Sequence, residues 1–439
     1  MKVLRGFPAA RDAVSRRVPL EETELPEAAQ RRLAEVFGVE ISAAEAVSRI
    51  LSDVRQTGDR ALAHYTASID GVELASIEVA RLEIDEAYAN LAKETRDALE
   101  VAAERIRSFH QSSLPRTWVD FSSGLGQIVR PLERVGLYVP GGRAAYPSTV
   151  LMTAIPAKVA GVPEVVVATP PDRQGNAHTL VLAAAKIAGV DRVFKMGGAQ
   201  AIGALAYGTA TVPRVDKICG PGNIFVVLAK RAVFGSVAID GLHGPSEAVA
   251  IVDDSADPSL CAADLLAQAE HDELATAVLI TTSEALLQRV LVMVEHQLAT
   301  LERAEIIRGS LERNGFCAVV DTLSEAAQLA NQIAPEHLSF MVRDGWGLLG
   351  EIHHTGAVFL GAASSAALGD YVAGPSHVMP TGGTARFSSP LRTEDFVKVT
   401  SLVAVDAAAA KRLGIAGAAI ARAEGLTAHA RALEARLSL

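Results

Sequence analysis

Hydrophobic residues recur with a helical period along the first 125 residues of the chain. Ser42-Ala43-Ala44-Glu45 forms a capping box directly before an apolar stripe that repeats every three to four positions. A second stretch, 84–109, is rich in Ala, Leu, Glu and Arg, which favour helices. The glycine-containing run 122–126 then marks a boundary. We therefore expect residues 1–125 to form a mostly helical region.

From residue 131 onward, short apolar runs alternate with Ala-rich helical stretches. The segment 157–162, Ala-Lys-Val-Ala-Gly-Val, returns as Ala-Lys-Ile-Ala-Gly-Val at 185–190, and each copy leads into an apolar run. A helix that ends in glycine before a buried strand is half of a βαβ unit, so the repeat predicts a parallel sheet covered by helices. The predicted strands of this first sheet are 135–139, 165–168 and 192–196.

The same alternation restarts after Pro245 and predicts a second parallel sheet. Beyond residue 390 the chain is rich in Ala and Arg and offers one further strand, 402–405. Such a helical arm cannot bury its own apolar face, so we expect it to pack on a partner subunit. The predicted strands of the second sheet are 248–252, 277–281, 317–320 and 357–360.

The predicted fold class is therefore α/β, with two Rossmann-like parallel-sheet units, an N-terminal helical segment and a C-terminal helical arm. Each sheet needs its own apolar core, and a chain of 439 residues with 49% hydrophobic content is long enough for two or three. The predicted segments are 1–125 (helical region), 126–245 (first Rossmann-like domain), 246–385 (second Rossmann-like domain) and 386–439 (helical arm).

Charge and composition exclude several classes of protein. The formal net charge of −10 argues against a nucleic-acid binder, because neutralising phosphates requires a basic face. No apolar run reaches the roughly 18 residues of a membrane span, and no secretory signal is present, so we expect a cytoplasmic protein. The cysteines form no CxxC pair, which argues against disulfides and against a thiolate zinc site: Cys219, Cys261 and Cys317.

Gln268 and His271 are three residues apart in a stretch that we expect to be helical, because Asp257-Pro258 is a strong helix start. Helical residues at this spacing have Cβ atoms about 5–6 Å apart, so both side chains can reach one ion. Spacing does not choose Gln268 over Asp264, one turn earlier on the same face. A lone histidine is more often structural than a ligand, so the pattern permits half a metal site without requiring one.

Glu336 and His337 follow Pro335 in another stretch that we expect to be helical. Adjacent helical residues diverge by about 100°, so the two side chains would not hold one ion together. Both titrate, however, and both suit acid–base catalysis near neutral pH. A helix that starts at proline with polar first-turn residues explains the pattern at least as well. Two further candidates are a Gly-, Pro- and His-containing loop at 369–381, of the kind that lines sites, and the run 424–429.

Nucleotide-binding signals are weak in this sequence. No complete GxGxxG motif follows a predicted strand, because Gly220-Pro221-Gly222-Asn223 lacks the third glycine and Gly197-Gly198 is only a pair. An ordinary turn explains each of these runs better than a phosphate site does. Spacing alone therefore assigns no cofactor to the chain.

Eight short motifs nonetheless occur in the order found in one known family, and together they make the chain resemble the histidinol dehydrogenases over nearly its whole length. Each motif by itself has little specificity. The motifs are Gly136-Leu137-Tyr138-Val139-Pro140-Gly141-Gly142, Gly197-Gly198-Ala199-Gln200-Ala201, Gly220-Pro221-Gly222-Asn223, Gly244-Pro245-Ser246-Glu247, Gln268-Ala269-Glu270-His271, Pro335-Glu336-His337, the loop from Asp370 to Thr381, and the run from Glu424 to His429.

The resemblance implies a zinc-dependent enzyme of histidine biosynthesis that oxidises L-histidinol to L-histidine in two NAD-dependent steps. His337 would act as the base in both oxidations, and Glu336 would activate the water that hydrates the intermediate aldehyde. The implied NAD contacts are Tyr138, Gln200 and Asn223. The implied substrate contacts are Ser246, Gln268, His271, His337, Asp370, Glu424 and His429.

The resemblance also implies one zinc ion per subunit and a homodimer with shared active sites. In this arrangement the C-terminal arms are swapped, so that Glu424 and His429 complete the site of the partner. Nitrogen and oxygen ligands without cysteine are typical of an open catalytic zinc site. The implied zinc ligands are Gln268, His271, Asp370 and His429.

Three positions depart from the family pattern: His243, Ser376 and Met379, where we would expect a small residue, Asn and Leu. They bear on the shape of the pocket, and hence on the substrate, more than on the chemistry. One alternative function is therefore NAD- and zinc-dependent oxidation of another small alcohol, such as a sulfonated diol. A second alternative is a zinc- and nucleotide-binding protein without turnover, although binding alone needs neither Glu336 nor His337.

Overall fold

The computed structural model of the protein describes residues 1–14, 27–141 and 145–438. Contacts between residues divide the chain into two compact units. The first unit comprises Met1–Ser113 and Leu132–Phe396, and the second comprises Leu114–Pro131 and Val397–Leu439. Gly142, the last residue of the first motif, lies outside the described residues.

The N-terminal part of the first unit is mostly helical, as its hydrophobic period predicts. The capping box is confirmed, because Ser42 Oγ accepts the Glu45 N–H (3.2 Å) and the Glu45 carboxylate accepts the Ser42 N–H (2.9 Å). The predicted helix 84–109 is interrupted at Asn90, so two helices form instead of one. The elements are β1 (Lys2–Arg5), α1 (Phe7–Val14), α2 (Glu27–Phe37), α3 (Ala43–Thr57), α4 (Asp59–Tyr65), α5 (Arg81–Ala89) and α6 (Lys93–Ser112), followed in the second unit by β2 (Trp118–Asp120) and β3 (Leu125–Pro131).

The first sheet is wholly parallel and lies within residues 134–239. Its elements are β4 (Arg134–Tyr138), α7 (Pro147–Val159), β5 (Glu164–Thr169), α8 (Thr179–Ala188), β6 (Arg192–Lys195), α9 (Gly198–Tyr207), β7 (Lys217–Cys219), α10 (Ile224–Val233) and β8 (Ala238–Ile239). The strand order is β6-β5-β4-β7-β8. The three predicted strands are confirmed, whereas β7 and β8 are too short to show an apolar pattern in the sequence. The order reverses between β4 and β7, so their carboxyl ends flank the crevice where such sheets bind ligands.

The second sheet is also parallel, and β1 from the N-terminal region forms one of its edges. Its other elements are β9 (Glu247–Val252), α11 (Pro258–Ala269), β10 (Thr276–Thr281), α12 (Glu284–Leu298), α13 (Ala304–Arg313), β11 (Phe316–Val319), α14 (Leu323–Ile333), β12 (His337–Met341), α15 (Gly345–Leu349), β13 (Ala357–Leu360) and α16 (Ala366–Tyr371). The strand order is β1-β11-β10-β9-β12-β13. The four predicted strands are confirmed, but the sequence pattern predicts neither β1 nor β12.

Helices bury both faces of the second sheet. Leu279 and Ile280 are neighbours on β10, so their side chains point to opposite faces. Leu279 packs with Leu265 of α11, and Ile280 belongs to the core cluster that contains Leu329 of α14. A parallel sheet buried on both sides explains the continuous apolar runs in the sequence. The predicted α/β fold class with two Rossmann-like sheets is confirmed.

The second unit contains an antiparallel sheet and a pair of helices. The predicted strand 402–405 is placed too late, because the strand observed here spans Val397–Val403. Arg422 and Glu434 join the two helices by a bidentate ion pair, with Nε 2.9 Å from Oε1 and Nη2 2.8 Å from Oε2. The elements are β14 (Val397–Val403), which extends β3 in a sheet of order β14-β3-β2, α17 (Ala407–Ala423) and α18 (Thr427–Glu434).

The helix pair α17 and α18 has a small core of its own. Its buried residues are three alanines, Ala418, Ala421 and Ala430. Leu413 and Ile420 of α17 are exposed instead. An apolar helix face of this kind is stabilised when another surface covers it.

The predicted segment boundaries at 125, 245 and 385 stay predictions. Within the described ranges, no helix has both the length and the apolar character needed to cross a membrane.

Candidate active site

Glu336 and His337 lie at the amino edge of the second sheet, where β12 begins. His337 pairs in register with Ala248 of β9 and Ala357 of β13, so it occupies an interior strand. Both side chains are buried, with 7% and 3% of their surface exposed. The prediction that residues 335–337 are helical is therefore wrong.

The turn at Ala334 explains why the helix does not continue. Ala334 ends α14 with φ of +50°, the sole positive φ at a non-glycine position among the residues described. A left-handed alanine costs about 1–2 kcal/mol, so the surrounding structure must hold this conformation. The turn reverses the chain into β12 and delivers Glu336 and His337 to the sheet edge.

Asp370 on α16 binds His337 directly. Asp370 Oδ1 lies 3.0 Å from His337 Nε2, and only 8% of the Asp370 surface is exposed. The Phe359 ring stacks on the imidazole, with a centroid distance of 5.9 Å and an interplanar angle of 19°. Gly369 leaves room for the Phe359 ring, because a Cβ at position 369 would lie 2.5 Å from that ring. Packing therefore holds the imidazole in one orientation.

Gln268 reaches the same carboxylate from α11. Its amide Nε2 lies 3.5 Å from Asp370 Oδ2, and its Oε1 is buried without a hydrogen-bond partner in the described part of the chain. Spacing left Asp264 open as an alternative, but the structure brings Gln268 to Asp370. Asp264 is only partly buried, and burial raises the pKa of its carboxyl to about 6.

His271 does not lie on α11, contrary to the prediction. The helix ends at Ala269, and Asp272 accepts the Leu274 N–H (2.8 Å) in a turn that competes with further helix. His271 is exposed in this turn, and its N–H donates to the Gln268 carbonyl (3.4 Å). Burial works to raise the pKa of Asp370, and the charge of a protonated His271 helps to lower it, less than His337 and His377 do.

The charges of this cluster are strongly coupled. Burial works to lower the pKa of His337, but the carboxylates of Glu336 and Asp370 outweigh it and raise that pKa to about 10. Burial works to raise the pKa of Asp370, and the hydrogen bond and charge of His337 lower it below its usual value. In the absence of a metal, the pair is therefore an imidazolium and a carboxylate at neutral pH.

A second histidine supports Asp370 from the loop after α16. His377 Nδ1 lies 2.8 Å from the Asp370 carbonyl oxygen, and its Nε2 lies 3.3 Å from Thr149 Oγ1 at the start of α7. Burial lowers the pKa of His377 below its usual value. A neutral ring that donates from Nδ1 to the carbonyl satisfies this arrangement.

Among the described residues of the first unit, Gln268 and Asp370 are the two proposed zinc ligands that lie in contact. In the described ranges, no group of three or more His, Cys, Asp or Glu side chains is arranged to hold a metal. Gln268 and Asp370 do fit a cation, because the unpaired Gln268 Oε1 and the carboxylate are both buried oxygen donors. Their chemistry suits an open site with nitrogen and oxygen ligands.

The loop before β9 brings Ser246 to the same edge of the sheet. Glu336 Oε2 accepts the backbone N–H of Glu247 (3.1 Å), and Ser246 directly precedes this residue. The Ser246 carbonyl accepts the Thr276 N–H (2.8 Å), which fixes the loop at the start of β10. Ser246 is half-buried.

The predicted NAD contacts lie at the carboxyl edge of the first sheet. Tyr138 ends β4, and its hydroxyl accepts the Gly198 N–H at the start of α9 (3.1 Å). Burial raises the pKa of Tyr138 to about 12, so this hydroxyl is neutral. Gln200 is fully buried, and neither its amide oxygen nor its nitrogen has a partner among the described residues. Asn223 caps α10 by accepting two backbone N–H groups (3.1 and 3.2 Å).

Gly220 shows why the run 220–223 needs glycine. Its φ is +112°, and a Cβ at this position would lie 2.1 Å from the Tyr138 carbonyl oxygen. The turn after β7 therefore packs directly on the end of β4. These are the two strands between which the strand order reverses, so Tyr138 and Asn223 flank the ligand crevice of the first sheet.

Glu424 and His429 belong to the second unit. Glu424 lies at the C-terminal end of α17 and His429 lies in the first turn of α18. Both side chains are exposed. Their predicted roles, like those of the other site residues, stay predictions.

Comparison with known proteins decides the family. A sequence profile described as histidinol dehydrogenase matches residues 38–437. The chain is 52% identical over 442 residues to the histidinol dehydrogenase of Dehalococcoides mccartyi (strain CBDB1), and 49% identical over 441 residues to that of Deinococcus radiodurans; both alignments cover 100% of each chain. The crystal structure of histidinol dehydrogenase from Elizabethkingia anophelis is similar with a TM-score of 0.92 and 34% identity, over 100% of this chain and 98% of that one. The chain belongs to the histidinol dehydrogenase family.

Membership of the histidinol dehydrogenase family confirms two of the predictions made from the motifs. The resemblance itself is confirmed, and so is the prediction that the protein is an enzyme, a dehydrogenase. The family name also supports a role in histidine biosynthesis.

In this member of the histidinol dehydrogenase family, some of the contacts at the site could not be predicted from the sequence alone. His377 and Phe359 both support the Asp370–His337 pair, yet neither has a spacing that marks it. For His377, the one sequence signal is the Gly-, Pro- and His-containing composition of the loop 369–381, which is typical of loops that line sites. All three residues that depart from the family pattern are also involved in hydrogen bonds: Ser376 Oγ donates to the Met152 carbonyl (3.0 Å), and His243 contacts the Met379 carbonyl.

Proposed function

We propose that this protein oxidises L-histidinol to L-histidine through histidinal, in two successive hydride transfers to NAD, with one zinc ion per subunit. The observation that carries the proposal is the buried contact between His337 and Asp370, beside Glu336 and Gln268. An imidazole base, a separate carboxylate and adjacent metal-ligand oxygens suit oxidation of an alcohol and then of a hydrated aldehyde. The relatives named histidinol dehydrogenase support the substrate.

Gln268 and Asp370 would hold the zinc ion together with His271 and with His429 of the partner subunit. Zinc, when bound, supplies an anchor that orients the imidazole and amine of the substrate. A cation bound at Asp370 would oppose part of the negative charge of Glu336 and Asp370 that raises the pKa of His337. The imidazole can then act as a base near neutral pH.

The protons are moved by residues of this chain. His337 accepts the proton of the alcohol group in the first oxidation. Glu336 then accepts a proton from the water that adds to the aldehyde, while His337 returns its proton to the aldehyde oxygen, so that the hydrate forms and the imidazole is again neutral. His337 accepts the proton of the hydrate in the second oxidation. NAD, when bound, supplies the hydride acceptor of each step, so that two NADH form per histidinol.

The crevice of the first sheet is the proposed dinucleotide site. The buried and unpartnered amide of Gln200 supports this assignment, because a buried polar group without a hydrogen bond costs about 1–3 kcal/mol unless a ligand satisfies it. Tyr138 ends β4, and Asn223 caps α10, the helix that follows β7. They complete the set of proposed NAD contacts.

We also propose a homodimer in which the C-terminal arms are swapped. The small alanine core and the exposed Leu413 and Ile420 of the arm support a partner surface. Glu424 and His429 are exposed, and no group of three or more His, Cys, Asp or Glu side chains among the described residues is arranged to hold a metal. A second copy would supply His429 of the partner subunit.

The number of NADH molecules formed per alcohol tests the proposed function. With L-histidinol, NAD and zinc, we expect about two NADH per histidinol consumed and L-histidine as the product, because each hydride transfer yields one NADH. NADH is measured by absorbance and histidine by chromatography. A ratio near one, or turnover of another alcohol but not of histidinol, would contradict the assignment. No turnover of any alcohol would indicate a protein that only binds zinc and nucleotide.

The metal assignment is tested separately by zinc content. Asp370→Asn keeps the shape of the side chain but removes its charge, so we expect bound zinc to fall from about one ion per subunit to near zero. Elemental analysis of the purified, dialysed protein measures this directly. Asp254→Asn, at an exposed carboxylate paired with Arg343, is the matched control and should keep its zinc. Full zinc content in Asp370→Asn would refute the role of Asp370 as a ligand.

A further inference from the structure

Residues 240–246 carry the chain from the last strand of the first sheet to the first strand of the second, and we call them the connecting segment. It begins directly after β8 and ends directly before Glu247 of β9. Its first residue, Asp240, contacts the Gly220 turn of the proposed dinucleotide site. Its last residue, Ser246, is a proposed substrate contact. The conformation of the connecting segment therefore governs how the two sites are placed.

Asp240 anchors the start of the connecting segment. Its carboxylate accepts the Gly220 N–H (2.6 Å) and the Gly241 N–H (2.8 Å), and it forms an ion pair with the buried Lys230. Lys230 in turn donates to the Gly220 carbonyl (3.0 Å). Burial works to raise the pKa of Asp240, but the charges of Lys230 and His243 hold that pKa far below its usual value. This end of the segment is thus fixed to the turn after β7.

His243 lies between this anchor and the substrate side. Only 7% of its surface is exposed. Its Nδ1 lies 2.7 Å from the Met379 carbonyl oxygen and must donate, because a carbonyl only accepts. Its Nε2 lies 3.3 Å from Asp240 Oδ2. This distance is short enough for an ion pair, but the two groups are not aligned for a hydrogen bond. A Cβ on Gly241 would meet the ring at 3.1 Å, so glycine lets the segment fold around the ring.

The residue after His243 also binds the loop that follows α16. The next residue, Gly244, donates its N–H to Thr381 Oγ1 (2.6 Å), two residues after Met379. The stretch 379–381 therefore binds the connecting segment twice, just before Ser246. One imidazole ring thus contacts the dinucleotide side through Asp240 and the substrate side through Met379.

We propose that His243 is a positioning residue that couples the Gly220 turn to the loop that carries Ser246. The inference rests on the proposed function, because it takes the Gly220 turn as part of the NAD site and Ser246 as a substrate contact. Each contact of the ring fixes one of these two elements. Loss of one contact should therefore weaken the binding of one ligand more than of the other.

Two substitutions of His243 by an amide side chain each keep one of its two contacts and remove the other. In His243→Gln the terminal nitrogen takes the place of Nε2 and keeps the contact with Asp240, whereas in His243→Asn it takes the place of Nδ1 and keeps the contact with Met379. We expect the KM for NAD to rise about tenfold in His243→Asn and the KM for L-histidinol to rise about tenfold in His243→Gln, the scale of one lost polar contact. In His243→Ala both KM values should rise, and kcat should change less than either.

The wild type and His296→Ala, at an exposed histidine of α12, are measured alongside the variants. Thermal denaturation checks that each variant is folded. If the wild type forms no NADH, the proposed function itself fails. If the wild type is active but all three variants keep its KM values, or lose thermal stability without separating the two KM values, the positioning role of His243 is refuted.

Discussion

Replacing His337 with asparagine is expected to lower the rate of NADH formation by about 10²–10⁴-fold with L-histidinol and equally with L-histidinal. The physical reason is that a single imidazole accepts the proton in both oxidations, and asparagine cannot accept one. The ring is buried, stacked on Phe359 and bonded to Asp370, so no other side chain can take its position. The measurement is steady-state NADH absorbance with each substrate in turn.

A matched control separates loss of chemistry from loss of structure. His296→Asn replaces an exposed histidine on α12 and should keep the rate of the wild type. Zinc content of His337→Asn should remain close to that of the wild type, and a single cooperative unfolding transition should show that it is folded, at a lower melting temperature because the smaller side chain leaves a cavity and loses the ion pair with Asp370. A loss confined to one of the two oxidations would contradict a shared base.

Replacing Glu336 with glutamine is expected to affect only the second oxidation strongly. Oxidation of L-histidinal should fall by about 10²–10⁴-fold, whereas oxidation of L-histidinol should stay within about tenfold of the wild type. Glutamine keeps the shape of the side chain and can still accept the Glu247 N–H, but it cannot take a proton from water. Histidinal should accumulate, and the ratio of NADH to histidinol should fall from two toward one.

The accumulated aldehyde is measured by trapping it with semicarbazide. Glu312→Gln, at an exposed glutamate of α13, is the control for the change of charge. Equal losses in the two oxidations would refute a role of Glu336 in activating water. That result would instead favour a role of Glu336 in holding the loop of Glu247.

Local sequence signals predicted the elements that carry the site better than the geometry of the site itself. The start of α11 at Asp257 is confirmed, and so is the capping box at Ser42, because both depend on hydrogen bonds within a few residues. The helix expected at residues 335–337 is wrong for the opposite reason. The strand there is stabilised by pairing with β9 and β13, which are distant in sequence.

The choice of Gln268 over Asp264 illustrates the same limit. Both residues fit the spacing of one helix face, and nothing near them in the sequence distinguishes them. The structure brings Gln268 to Asp370, which is 102 positions away, because α11 and α16 pack at the same end of the second sheet. His271 shows the reverse error, since a local turn at Asp272 ends the helix before the histidine.

The sequence by itself determined that two parallel sheets form, because buried strands and covering helices leave apolar patterns that depend on neighbouring residues. The order of the short motifs also determined the family. Only the tertiary structure decided which donors meet at Asp370, that β12 delivers Glu336 and His337 to a sheet edge, and that His243 lies between the two proposed sites. These contacts join residues far apart in the chain, and their geometry depends on packing and burial rather than on local conformational preference.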